Sequence, residues 1–404
     1  MTAEVGILNK QGVVLAADSA VTIGGKKVYN TTNKLFTLGP NHFIGLMVYG
    51  NAEFMNHPWS IIFEAFGRFI GRKSLKSTQA YAEKLVEFVR KSKFLQDKEL
   101  QTDFVIAYSY EVLRLVFSAA EAHLMSNGSN SNQLRDVILS DLQETLNDAK
   151  HRKKLTENYS FNDFSNSNKE AIKGSLMNYT TNNDVEKIVV QMLLEDELFN
   201  IFNEILYNLL TVGEDLLSSS GIVVAGYGND ELFPSVFSFD FYCTLDKHLV
   251  YSMKPKVVVG PKVTAEKATA AILPFAQDDV AVTLLNGISP QMSNSLFKIL
   301  SDCDLPQEQI RSVGNKLSEE QNKQFIRPMV SSIASMNIRE LADVAETLVN
   351  VTEFKRKYTS EVATVGGPID VLAINCAEGP IWIKQKHYFE LDNNLDFQNR
   401  RKKR

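Results

Sequence analysis

The first fifty residues constrain the fold more than any other stretch, because they are a succession of short apolar segments broken by turn residues. AEVGILN alternates small or polar residues with apolar ones, KQG turns the chain, and VVLAAD follows as a largely apolar run that ends in an acid. KLFTL, the turn GPN and HFIGLMV read as another hairpin. Short apolar strands in sequence order suggest a buried antiparallel sheet.

The pattern changes after Gly50. From about Ala52 to Leu217 apolar residues recur at helical spacing, as in TQAYAEKLVEFVRKSK and EKIVVQMLLEDELFNIFNEILYNLL. Two polar stretches, SNGSNSNQ and NYSFNDFSNSNKEA, read as loops, since Asn and Ser side chains compete for local backbone hydrogen bonds. Strand character returns in GIVVAGYG and SVFSFDFY, joined through NDELFP. TAAIL (Thr269–Leu273) reads as a strand that leads through Pro274 into the helical AQDDVAVTLLNGI. A second mostly helical region covers about 290–356, and IDVLAINC and GPIWIKQ close the pattern as a hairpin with the turn AEG. Strands, helices, strands, helices, strands: this order predicts α+β layers around one core with insertions. The core is expected over about 2–55, 218–290 and 340–390, with helical insertions at 56–217 and 290–340 and a basic solvated tail at 391–404.

Composition narrows the class. The chain of 404 residues carries a formal net charge of −5, which gives no reason to expect a nucleic-acid partner. No run approaches the length of a membrane span, and the start lacks the basic and apolar regions of a secretory signal, so a cytoplasmic protein without a membrane partner is expected. Cys243, Cys303 and Cys376 lie too far apart for a disulfide framework or zinc site and are expected to be buried and reduced. Neither histidine spacing nor a phosphate-binding loop calls for a metal or cofactor.

Thr2 stands directly behind Met1. A threonine with a free α-amine combines a hydroxyl nucleophile with its own base, and such an amine has a pKa of about 7.7–8.0. A nearby ammonium would favour the reactive forms of both groups, and a carboxylate would hold that ammonium in place. Asp18, at the end of VVLAAD, and Lys34, at the start of KLFTL, offer these partners.

The run TAEVGILNKQGVVLAADSAVTIGG…NKLF resembles the start of proteasome β-subunits and their simpler bacterial relatives, in the N-terminal-nucleophile hydrolase superfamily. The intervals from Thr2 to Asp18 and to Lys34 match without a gap. The resemblance implies Thr2 as nucleophile, Asp18 as the acid that positions the lysine, Lys34 as the catalytic ammonium, and Thr22 as a residue whose backbone pairs with an extended substrate. GIVVAGYGNDELFPSVFSFDF and TVGGPIDVLAI resemble later parts of the same family, whose fold is a four-layer αββα sandwich. This chain adds helical insertions much longer than in a standard subunit.

For the oxyanion hole, the family uses a backbone N–H in a strand that corresponds here to IGLMVYGNAEF, which nominates Gly45, Leu46 or Met47. Supporting residues that tune the amine fall at Gln277 (beside Ala276 and Asp278), Glu361 and Thr364. The expected activity is hydrolysis of peptide bonds by Thr2 after Met1 removal. The alternatives are a catalytically silent assembly subunit and a small-amide hydrolase. The resemblance leaves open homo-oligomeric rings and substrate delivery by a separate ATP-dependent unfoldase.

Overall fold

A computed structural model of the chain describes residues 3–396 apart from 24–26, 30–31, 128–130, 157, 214–217, 265–266, 278, 304, 359–365, 388, 391–392 and 395. The opening strands are β1 (Glu4–Asn9), β2 (Gly12–Ala17), β3 (Val21–Ile23), β4 (Lys27–Tyr29), β5 (Leu35–Thr37), β6 (Ile44–Gly50), β7 (Glu53–Phe54) and β8 (His57–Pro58). Helices α1 (Trp59–Ile70), α2 (Thr78–Lys91), α3 (Lys98–Asn127), α4 (Ser131–His151), α5 (Phe161–Met177), α6 (Asp184–Leu193) and α7 (Asp196–Val212) follow. Then come β9 (Ser220–Gly226), β10 (Ser235–Leu245), β11 (His248–Met253), β12 (Val257–Val258) and β13 (Ala270–Ala276). Helices α8 (Asp279–Asn286), α9 (Pro290–Asp302), α10 (Gln307–Gln321), α11 (Arg327–Ser335) and α12 (Ile338–Tyr358) precede the final hairpin of β14 (Asp370–Asn375) and β15 (Gly379–Lys384).

Two antiparallel sheets organise this α+β chain. The first has the order β13-β1-β2-β14-β15, and the second β11-β10-β9-β6-β5. Leu8, Leu15 and Leu372 of the first sheet pack with Met47, Val223 and Ala225 of the second in one buried cluster. The opposite face of the first sheet, through Val5, Val14 and Ala373, packs on Leu341, Ala345 and Val349 of α12. The opposite face of the second, through Ile44, Leu46 and Phe239, packs on helices of the first helical region, with Phe66, Leu85 and Phe202 among the buried residues. Strand residues are therefore covered on both faces, which is why GVVLAA reads as a continuous apolar run instead of an alternating one. Each such aliphatic side chain removed from water contributes about 1.5–3 kcal/mol.

Several expectations are corrected. The strand at Thr269–Leu273 does not end before Pro274 but runs on to Ala276, and α8 begins only at Asp279. β13 is an edge strand, and its pairing with β1 is irregular between Glu4 and Val5, so a residue without an N–H is tolerated there. NYSFNDFSNSNKEA is not a loop: Ser160 and Asp163 form a capping box, and α5 runs from Phe161. Here the Ser and Asp side chains satisfy the first turn's N–H groups instead of competing with the helix. Of SNGSNSNQ, Ser126 and Asn127 end α3 and Ser131, Asn132 and Gln133 begin α4, while 128–130 lie outside the described residues. β11, which received no strand assignment from the sequence, pairs along β10. Of the cysteines, only Cys243 is buried; Cys303, at the end of α9, and Cys376, in the β14–β15 turn, are exposed, and all three are free. Among the described residues no helix is long and apolar enough to cross a membrane.

Candidate active site

Four strand ends of the first sheet meet at one edge. Ala276 pairs with Glu4, Glu4 pairs with Ala17, and Ala17 pairs with Asp370. The β1–β2 ladder continues one residue further, since Asp18 N–H donates to the Ala3 carbonyl at 3.1 Å. Asp18 thereby sits beside Ala3, the residue bonded to Thr2. Thr2 itself lies outside the described residues.

Asp18 is fully buried, and its carboxylate is engaged on both oxygens. Oδ1 accepts the Ala3 N–H at 3.1 Å and a hydrogen bond from Lys34 Nζ; Oδ2 accepts the N–H groups of Gly366 at 3.0 Å and Ala20 at 3.3 Å. The Gly–Gly turn is thus tied to the end of β2, an attachment reinforced by Ser19 N–H donating to the Gly366 carbonyl at 3.2 Å and by the Ser19 hydroxyl donating to the Pro368 carbonyl. Hydrogen bonds to a charged group contribute about 1.5–3 kcal/mol each, so this carboxylate is fixed in place.

Lys34 comes from the other sheet, as the residue immediately before β5. Its side chain is only 4% exposed, and Nζ also lies 3.1 Å from Glu4 Oε1. Glu4 is fully buried. The sequence reading missed it: a single acid in an alternating segment looks like a solvent-facing strand residue, and only the pairing of β1 between β2 and β13 puts it inside.

A cavity of about 330 Å³ opens beside this cluster, with Glu4, Lys34, Phe36, Tyr49, Gly50 and Trp59 among its lining. Asp18 lies behind Lys34 and does not line it. Tyr49 donates to Asp240 Oδ1 at 2.9 Å and accepts from Lys254 Nζ at 3.0 Å, which holds its ring at the cavity wall. Burial, and then the Asp240 carboxylate, push the Tyr49 hydroxyl far above the ordinary tyrosine pKa, so it remains a neutral donor.

The phase of the strand ladders shows where the N–H groups of β6 point. Tyr227 N–H donates to the Phe43 carbonyl at 2.9 Å and Asn51 N–H to the Ser219 carbonyl at 3.0 Å. In the β6–β9 register this makes the odd-numbered residues of β6 the ones that exchange hydrogen bonds with β9. Gly45 and Met47 therefore direct their N–H groups at Ala225 and Val223. Even-numbered residues face β5, as Val48 N–H does in donating to the Lys34 carbonyl at 2.9 Å, and Leu46 faces Phe36. Gly45, Leu46 and Met47 are all committed to the sheet. The absent side chain of Gly45 serves packing instead: a Cβ there would meet Ile374 Cδ1 at 2.7 Å. The next even position is Gly50, which falls beyond the end of β5 in this register and lines the cavity. With φ of +73°, Gly50 also turns the chain out of the sheet.

The remaining predicted residues divide. Thr22 lies in β3, which pairs with β4 through Thr22 and Val28 and has no strand on its other edge among the described residues. Gln277 follows Ala276, the partner of Glu4, in a left-handed conformation with φ of +45°. Glu361, Thr364 and Asp278 lie outside the described residues. Among the described residues no group of three or more His, Cys, Asp or Glu side chains is placed to hold a metal ion. No protein-family model matches the chain, and no curated protein is significantly similar to it in sequence.

Proposed function

We propose that the chain is a cytoplasmic threonine-type N-terminal-nucleophile hydrolase that cleaves peptide bonds. The observation that carries this reading is the buried Asp18–Lys34 pair, which joins the two sheets directly beside Ala3 and borders a cavity large enough for a substrate side chain. The two sheets, with helices on their outer faces, fit the four-layer αββα sandwich that the N-terminal sequence resembles.

In this mechanism, removal of Met1 frees the Thr2 α-amine. The amine takes the hydroxyl proton, and Thr2 Oγ attacks the substrate carbonyl carbon. The Lys34 ammonium, positioned by Asp18, stabilises the oxyanionic character of Oγ. The Gly50 N–H stabilises the negative charge that develops on the carbonyl oxygen, a contribution of about 3–4 kcal/mol for one such donor. Collapse passes the proton held by the Thr2 amine to the leaving nitrogen, expels the amine product and leaves an ester on Thr2, which water then hydrolyses. Open-edged β3, with Thr22, offers backbone groups to an extended peptide.

Hydrolysis of a peptide library by the purified protein and by Thr2→Ala tests the proposal. The variant is expected to lose turnover while keeping its circular dichroism and melting temperature; equal hydrolysis by both proteins overturns it.

An assembly role is a second reading that one observation favours. Helix α9 contains no buried residue, and Met292 and Ile299 on it are 61% and 58% exposed. Exposed apolar residues on one helix are a surface suited to subunit contact.

A further inference from the structure

We propose that Glu4 is a positioning residue of this site: a second buried carboxylate that holds the Lys34 ammonium at the cavity wall, in the place that activation of Thr2 requires. The inference rests on the reading of Thr2 as nucleophile and goes beyond it, because Asp18 alone already completes an acid–ammonium couple.

The two carboxylates differ in what they do. Asp18 is saturated by three backbone N–H groups and Lys34, so it is a structural anchor at the junction of β1, β2 and the Gly366 turn. Glu4 lines the cavity and lies 3.1 Å from the same ammonium. An ammonium has three N–H groups, and with two carboxylates beside it one is left for the reacting centre.

Strand β1 itself gives no reason for an acid at this position. The neighbours Val5, Ile7 and Leu8 show that apolar residues suit β1. A buried carboxylate set against an ammonium at a cavity wall is characteristic of functional sites. Among the described residues the other ionisable groups lining the cavity are Tyr49 and Glu53. Tyr49 is committed to Asp240 and Lys254, and Glu53 is exposed, so neither replaces Glu4 on Lys34.

Glu4→Gln keeps the side-chain shape and removes the charge; Glu4→Asp keeps the charge. The probe is a β-lactone, whose ring opens when a hydroxyl attacks its carbonyl and leaves an ester on that oxygen while the proton passes to the ring oxygen. Intact-mass measurement gives the acylation rate across pH, and peptide mapping gives its position. The wild-type protein is expected to be acylated on Thr2. Glu4→Gln is expected to be slower, with its rate profile displaced by about one pH unit toward acid, because loss of a neighbouring negative charge makes protons easier to lose. Glu4→Asp is expected to keep the wild-type profile, and it decides the matter if Glu4→Gln does not fold. An undisplaced profile in folded Glu4→Gln, or a displaced one in Glu4→Asp, overturns the role of Glu4 alone. No acylation of wild-type Thr2 overturns the nucleophile reading itself, and the role of Glu4 with it.

Discussion

Two ionic clusters tie distant parts of this chain together, and they are built on opposite plans. At the start of α8, Asp279 Oδ2 accepts from Lys355 at 2.6 Å and Oδ1 from Arg356 at 2.7 Å, one acid between two cations of α12. At the edge of the first sheet, one cation, Lys34, lies between two acids, Asp18 and Glu4. The first cluster is partly open to water, with the Lys355 side chain 40% exposed, and does not line the cavity beside Lys34. The second is almost wholly buried and borders that cavity. The first cluster fastens a helix at a surface that water reaches; the second sets its ammonium and one of its acids at the wall of a cavity.

The largest effect should come from breaking the buried cluster. Lys34→Met leaves two buried carboxylates without their cation and is expected to cost about 3–5 kcal/mol in urea denaturation as well as abolishing turnover. Asp279→Asn should be milder, about 1–2 kcal/mol, with kcat/KM unchanged, since Lys355 retains water. If Asp279→Asn removed activity while Lys34→Met kept it, the assignment of roles would be reversed.

Acid sharpens the contrast. Burial alone would raise the Asp279 pKa, but the hydrogen bond from Lys355 and the Arg356 charge outweigh it and hold the carboxyl below the usual aspartate range. A folded-state pKa below the unfolded value, about 3.9, gives stability that is complete above that value and is lost as pH falls through the lower, folded one. The stability difference between wild type and Asp279→Asn should therefore be full at neutral pH and shrink progressively in strong acid. Urea melts at several pH values check this; a constant difference would contradict the ion-pair account. The smallest effect concerns the cavity. Ala52, on its wall, can be enlarged to Leu, which should raise KM for peptides with bulky side chains several-fold and shift stability by no more than about 0.5 kcal/mol. Steady-state kinetics on peptides of graded size would show it.

How much of this could be read from sequence depended on whether a feature was local. Asp18 and Lys34 mark strand ends, and apolar runs bounded by turn residues locate strand ends well. The ladder between Ala3 and Asp18 and the hairpin of β5 and β6 then follow from order and turn chemistry. Glu4 was hidden because burial at β1 comes from a strand some 270 positions away in sequence, β13, and from the opposite sheet. Gly50 was hidden for another reason. Which residues of β6 spend their N–H groups on β9 depends on ladder parity, and one step in register exchanges donors that face a partner for donors that do not. Pro274 misled in the same way, because a proline is compatible with a strand only where an edge or an irregularity spares its missing donor. Ser160 misled because the composition of a cap and that of a loop are alike, and only the paired Asp163 distinguishes them.

The reactive group proposed for this chain is its own threonine amine and hydroxyl, and the intact mass of the purified protein is the decisive measurement. The mass should correspond to the chain without Met1, with Thr2 as the first residue and its amine free to label. A protein that keeps Met1 would have an amide nitrogen where the base must be, and would contradict the claim.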